Sequence, residues 1–152
     1  MTGREPKLDN NLFFVCSLIE YIGRVMKSRR ADVVSALGRD VLVRYFELAD
    51  VYHCEPIEYT ADELIEKRCI HEGNFDNTAG DFNTPTVFDI AKVYKRLIVS
   101  VAENSGAAPI DALIDVYASW ISDKISDYRC SMYYESPEYL YLSYVEGEPI
   151  KD

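Results

Sequence analysis

The chain has 152 residues, of which 48% are hydrophobic and 28% charged, and its formal net charge is −10. This length suits one domain whose core needs neither disulfides nor metal, and it is too short for two ordinary domains. The composition excludes a disordered chain, and no apolar run approaches the roughly 20 residues of a membrane span. The first residues contain no apolar segment typical of a signal peptide. We therefore expect one cytoplasmic domain over residues 1–152.

Apolar residues repeat at helical spacing along most of the chain, which predicts an all-α, single-domain bundle of about six to seven helices. Residues 1–10 are polar and are expected to be frayed. A core helix is predicted at 12–26, and its extra apolar residues imply contact with more than one neighbour. A short helix should follow and end at Gly38, and a third helix is expected at 40–53.

The second half of the chain has clearer helix boundaries. Thr60-Ala-Asp-Glu63 has the pattern of a capping box that opens a short helix, and residues 71–84 read as one long polar loop. The central core helix is predicted at 85–102, with Thr84 as its cap and Pro85 in its first turn, and a third core helix at 109–128. A last helix should begin after the cap Ser136 and end at Gly147.

The cysteines and histidines do not have the spacing of a metal site. Cys16, Cys54, Cys69 and Cys130 lie far apart, so we expect free thiols, with Cys16 and Cys54 in the core. His53-Cys54 and Cys69-x-His71 form two couples, but adjacent and i,i+2 side chains point in different directions. We therefore expect no bound metal and no cofactor, and no small-molecule ligand is indicated.

Positive charge is concentrated between residues 24 and 44, where six basic residues face two acids. The possible basic patch comprises Arg24, Lys27, Arg29 and Arg30. This region loosely resembles a helix-turn-helix, but its second helix has only Arg44 to read a groove, against three acids. The overall negative charge also disfavours nucleic acid and membrane surfaces.

No known catalytic motif occurs in the sequence. It has no glycine-rich phosphate loop, no nucleophile elbow, no His-Glu-x-x-His and no supported Cys/His dyad. We therefore predict no catalytic residue. An enzyme with an unrecognised site, resting on His53, His71 or a perturbed acid, is the third alternative for the function.

Tyrosine is the most unusual component of the sequence, with twelve in all and six of them between residues 128 and 144. Large side chains occupy several sides of the last helix, so some should face outwards. Tyrosine is enriched at protein interfaces, which predicts a partner-binding surface. Its residues are Tyr133, Tyr134, Tyr139, Tyr141 and Tyr144. The alternative is that these rings only clamp the last helix onto the bundle.

Residues 13–53, FFVCSLIEYIGRVMKSRRADVVSALGRDVLVRYFELADVYH, resemble a small, functionally unassigned family of helical proteins from anaerobic bacteria. The resemblance covers about a third of the chain and includes the Phe-x-x-x-x-Ile-Glu-Tyr start; the tail SMYYESPEYLYLSY is also similar. Members tend to be encoded beside toxin-like genes, which implies a partner-binding protein such as the neutralising member of a pair. The resemblance implies no catalytic residue.

The leading interpretation is a non-catalytic cytoplasmic protein–protein interaction module that binds a protein partner or self-associates. The alternative is an antitoxin-like or DNA-associated regulator that uses the basic patch within residues 24–44.

Overall fold

The computed structural model describes residues 6–80 and 83–151, and within these ranges the chain is an all-α bundle without strands. Eight α-helices and one short 3-10 helix, Met132–Tyr134, make up this part of the chain. The α-helices are α1 Pro6–Val25, α2 Arg30–Glu47, α3 Ala49–Tyr52, α4 Ile57–Lys67, α5 Val87–Ser105, α6 Pro109–Ala118, α7 Trp120–Ile125 and α8 Pro137–Glu146.

The core forms where α1, α2, α5 and α6 pack together, with α1 against α5 as the most extensive contact. Ile19 and Ile22 of α1 and Leu97 and Ile98 of α5 are fully buried. The smaller helices cover the outside: α3 and α4 pack on α1, and α8 packs on α5. This arrangement explains why α1 is apolar on most sides, as its sequence indicated.

The N-terminal half differs from the prediction in two places. Residues 6–10 are helical and form the start of α1, whereas residues 1–5 lie outside the described part of the chain. At Gly38 the backbone breaks with φ 82° and ψ 158°, so the predicted boundary is real, but the helix resumes at once. Glycine accommodates this conformation without the steric penalty of a side chain.

Helices α4 and α5 do not begin at the predicted threonines. Helix α4 begins at Ile57, and Thr60 is a buried residue inside it rather than its cap. At α5 the cap is Thr86, not Thr84: its hydroxyl accepts a hydrogen bond from the Asp89 N–H at 3.0 Å, and the Asp89 carboxylate accepts one from the Thr86 N–H at 3.2 Å. This reciprocal pair satisfies two N–H groups that a helix start leaves free.

The C-terminal helices are close to the prediction. The segment predicted at 109–128 is divided at Ser119, whose extended backbone separates α6 from α7 and whose hydroxyl donates to the Val116 carbonyl at 2.7 Å. Ser136 caps α8 through the Tyr139 N–H, as predicted, and Gly147 ends it with φ 85°.

The loop between α4 and α5 is non-helical wherever it is described, which agrees with the predicted long loop. Its first part is hydrogen-bonded to the two residues that follow α1. The Gly73 N–H donates to the Met26 carbonyl at 2.8 Å, and the Phe75 N–H donates to the Lys27 carbonyl at 2.9 Å. A Cβ on Gly73 would lie 2.7 Å from the Lys27 oxygen, so this close approach requires glycine.

Within the described residues, no individual helix combines the length and the apolar character needed to cross a bilayer. Helices α5 and α6 meet these criteria only as a pair, and they are bent by 118° where they join.

Candidate functional site

An open groove of about 980 Å³ runs between α1, the α3–α4 region and the start of α5. Its walls are largely apolar. Phe13 and Phe14 come from α1, Ile57 from α4, and Val87 and Phe88 from α5. Such a volume is at the upper end of what ligand-binding clefts usually enclose. We call this feature the α1–α5 groove.

Aromatic rings give the α1–α5 groove much of its apolar surface. Phe88 is 49% exposed, although a large apolar side chain gains by being covered. Its ring lies 6.1 Å from that of Phe13, measured between centroids, while Phe14 is buried at 8% exposure. Helix α1 therefore turns one apolar side to the core and presents part of another to the groove.

Two polar groups at the α1–α5 groove have unused hydrogen-bonding capacity. Asn11 lines the groove and is only 5% exposed, and its amide makes no hydrogen bond to another described residue. Arg24 donates from Nη2 to the Tyr128 hydroxyl at 3.2 Å, but its buried Nε–H has no acceptor within the described part of the chain. Buried polar groups normally have partners, and the Arg24 Nε is an exception that is itself buried. The Asn11 amide is the group that could bond to a molecule in the groove.

The rim of the α1–α5 groove is acidic. Asp50, Glu55 and Glu58 are all exposed, and only Asp50 has an ion-pair partner in the described residues, Lys7 at 3.5 Å. Burial raises the pKa of the adjacent Tyr21, and the carboxylate of Glu58 raises it further.

His53 also lines the α1–α5 groove, and its Nδ1 lies 2.8 Å from the Ala49 carbonyl oxygen. This contact is local, because it joins the imidazole to the backbone of its own helical turn. Cys54 is exposed rather than buried, so its expected place in the core was wrong, whereas Cys16 is buried as expected. Among the residues described, no three His, Cys, Asp or Glu side chains converge as a metal site would require.

The four residues of the possible basic patch do not share one open surface. Arg30 lies in the core with its side chain 0% exposed. Arg29 pairs with Asp123 at 2.9 Å, and Lys27 pairs with Glu72 at 3.6 Å. Arg24 lies at the α1–α5 groove and also reaches Tyr128, whose ring centroid is 5.7 Å from its guanidinium carbon.

Arg30 belongs to a buried polar network that sequence reasoning missed. Its Nε donates to Glu20 Oε1 at 3.0 Å, and the Tyr117 hydroxyl donates to Glu20 Oε2 at 3.0 Å. Tyr117 stacks on Tyr94 with centroids 4.1 Å apart, and the Tyr94 hydroxyl lies 2.8 Å from that of Ser122. The one available signal was Glu20 itself, an acid within the apolar run of α1.

Burial alone would lower the pKa of Arg30, but the Glu20 carboxylate, with smaller contributions from Tyr128 and Tyr94, more than offsets this, and the net shift of the pKa is upward. Burial raises the pKa of Cys16, as does the nearby Glu20. The thiol of Cys16 is consequently held neutral. These groups tie α1, α2 and α6 together inside the core, and none of them lines the α1–α5 groove.

The predicted tyrosine surface is divided between the core and solvent. Tyr134 is 70% exposed, while the other four predicted residues are partly buried and pack against the core. These four are Tyr133, Tyr139, Tyr141 and Tyr144. The outward side of α8 instead presents Leu142 at 41% and Val145 at 60% exposure. The helix therefore does have apolar groups on two sides.

Comparison with known proteins finds no matching family model, no similar curated protein and no matching solved structure.

Proposed function

We propose that this protein is a non-catalytic interaction module that binds a segment of a partner protein in the α1–α5 groove. The observation that carries the proposal is the groove itself: a concave apolar surface with the half-exposed Phe88 and the unpartnered amide of Asn11. Apolar clefts with a few polar groups are the usual form of binding sites. A bound side chain would cover the exposed rings and bond to the amide.

The polar residues of the α1–α5 groove favour binding over catalysis. The hydroxyl of Ser17 donates to the Phe13 carbonyl at 2.7 Å, and the hydroxyl of Thr86 serves as the cap of α5. Among the described groove residues, no hydroxyl is hydrogen-bonded to a histidine or a carboxylate. Nucleophilic catalysis by a serine or threonine hydroxyl commonly relies on such a pair to activate the attacking oxygen.

The exposed side of α8 is a second contact surface in this proposal. Leu142 and Val145 supply apolar area there, the partly buried Tyr139 and Tyr141 add to it, and the exposed Tyr134 lies on the 3-10 helix that precedes α8. A role as the neutralising member of a pair is compatible with either surface. The positions of Arg30 in the core and of Arg29 in an ion pair do not favour a DNA-associated regulator.

Site-specific photo-crosslinking in the cells that produce the protein tests which surface is used. A benzophenone amino acid replaces Phe88 in the α1–α5 groove, Val145 on α8, or Glu103 as a control. Glu103 is also exposed on α5, about 22 Å along the helix axis from Phe88. A crosslinker at position 103 is therefore on the same helix but outside the groove.

We expect a discrete protein adduct from position 88 that is absent from position 103. The Phe13→Asp substitution, which places a charge in the groove wall, should abolish it. An adduct from position 145 alone would show that the partner binds at α8 and not in the groove. Equal adducts from all three positions would contradict a defined binding surface.

A further inference from the structure

We infer that the α1–α5 groove takes an extended peptide segment that carries apolar side chains next to lysine or arginine. This inference rests on the proposed function and adds the chemistry of the partner. It follows from three properties of the groove: its aromatic walls, the unpartnered amide of Asn11 and its acidic rim.

The Asn11 amide favours an extended backbone over a helix. A primary amide offers both an N–H donor and a carbonyl acceptor, which match the C=O and N–H of a peptide group. In a helix these backbone groups are already bonded to one another, but in an extended segment they are free. Asn11 is 5% exposed, so a bond made there would be largely shielded from water.

The rim selects for positive charge beside the apolar side chains. Glu55 and Glu58 lie exposed at the groove without ion-pair partners among the described residues, and Asp50 has only the exposed Lys7. The net charge of −10 adds a long-range attraction for basic segments. It also disfavours a second copy of this chain as the occupant, because that copy would bring the same negative charge.

Selection from a displayed library of random peptides of about 12 residues, which reach up to roughly 40 Å when extended, tests the inference. The bait is the full chain, and binders are counter-selected on the Phe88→Asp variant. Enriched peptides should combine aromatic or branched apolar residues with lysine or arginine. Their dissociation constants are then measured by fluorescence anisotropy at low and high salt.

Two variants separate the contributions within the groove. Asn11→Ala should weaken peptide binding about five- to tenfold. N-methylation of the peptide bond that faces Asn11 should also weaken binding to the original protein, but it should have little further effect in Asn11→Ala, because the bond from that N–H to the Asn11 carbonyl oxygen is already lost there. Glu55→Gln combined with Glu58→Gln should weaken binding about three- to tenfold at low salt and reduce its salt dependence. Glu103→Gln combined with Glu138→Gln, which removes the same charge from exposed sites outside the groove, should change binding less than twofold.

The outcomes distinguish this inference from the proposed function. Peptides that depend on Phe88 but lack basic residues, or that tolerate every N-methylation, would overturn the inferred chemistry and leave the groove as a binding site. The absence of any peptide that depends on Phe88 would overturn both. Circular dichroism of each variant verifies that the fold is retained, and Phe88→Tyr, which keeps an aromatic wall, should retain binding.

Discussion

Arg30 and Glu20 form an ion pair in the middle of the core, with Nε and Oε1 3.0 Å apart and side chains 0% and 1% exposed. Arg30 begins α2 and Glu20 lies on α1, so the pair fixes the angle at which the chain turns from one helix to the next. The Arg30 Nη1 also donates to the Ser28 carbonyl at 2.8 Å within that turn. Charged groups at this depth are tolerated only when they are paired.

Glu20→Gln should therefore strongly destabilise the protein, because it leaves the Arg30 charge buried without a counter-charge. We expect a loss of about 3–5 kcal/mol in the free energy of unfolding, measured by urea denaturation. Asp111→Asn is the matched control: it removes the acid of an exposed pair, Arg39–Asp111 at 2.7 Å, and should have little effect. Equal effects of the two substitutions would contradict a structural role for the buried pair.

Gly23→Ala should test how firmly the Arg30 side chain is held. A Cβ at position 23 would contact Arg30 Cδ and lie 2.6 Å from Nε and Nη1. Because the bond to Glu20 prevents the guanidinium from moving aside, the substitution should cost about 1–3 kcal/mol. In a background of Glu20→Gln and Arg30→Ala the same substitution should instead stabilise α1 by up to about 1 kcal/mol, since alanine is the better helix former. Destabilisation of equal size in both backgrounds would show that another neighbour is responsible.

Stability should decline at alkaline pH because several tyrosines are buried. Burial, together with the neighbouring Tyr52 and Glu63, raises the pKa of Tyr45 to about 12. The unfolded chain binds fewer protons than the folded one once the pH exceeds the ordinary tyrosine value of about 10. The tyrosine contribution to the free energy of unfolding should thus be constant below that pH and fall as the pH rises towards 12. Urea denaturation at a series of pH values measures this fall.

Tyr45→Phe is the control for that decline, because phenylalanine does not titrate. It should make the fall shallower without abolishing it, since burial also raises the pKa values of Tyr94 and Tyr117. A fall of unchanged steepness in Tyr45→Phe would mean that the Tyr45 hydroxyl titrates as it does in the unfolded chain.

Thr86→Ala and Thr84→Ala should have different effects although both remove a threonine hydroxyl next to α5. Thr86 accepts the Asp89 N–H, whereas no hydrogen bond from the Thr84 hydroxyl occurs among the described residues. Loss of the Thr86 cap should cost about 1 kcal/mol, and loss of the Thr84 hydroxyl should be close to neutral. Thermal or urea unfolding of both variants provides the measurement. A larger loss of stability at position 84 would show that Thr84 caps α5, as the sequence predicts.

The positions of the helices were largely predictable because apolar periodicity and end signals act locally. Ser136 and Gly147 bound α8 as expected, since a cap and a left-handed glycine act through the backbone within a few residues. The start of α5 was harder: Thr84 precedes a proline, whereas Thr86 precedes Asp89 by three residues, and the two signals compete. Only the reciprocal hydrogen bonds decide between them.

The candidate site could not be predicted because it depends on contacts between distant parts of the chain. Phe13 and Phe88 were assigned to helices, but nothing in their local sequence shows that their rings meet. Arg30 was grouped with its basic neighbours because sequence proximity suggests a shared surface. Its partner Glu20 lies on another helix, and only the packing of α1 against α2 makes the pair visible.

The packing of α1 against α5 also has a consequence during synthesis on the ribosome. About sixty residues separate the end of α1 from the start of α5. The apolar side of α1 is therefore synthesised well before α5, the helix that covers most of it. At a translation rate of about 5–20 residues per second, the apolar side of α1 remains uncovered for roughly 3–12 s. The nascent chain should therefore be a chaperone client until α5 emerges, and codons that slow translation between the two helices should lengthen that dependence.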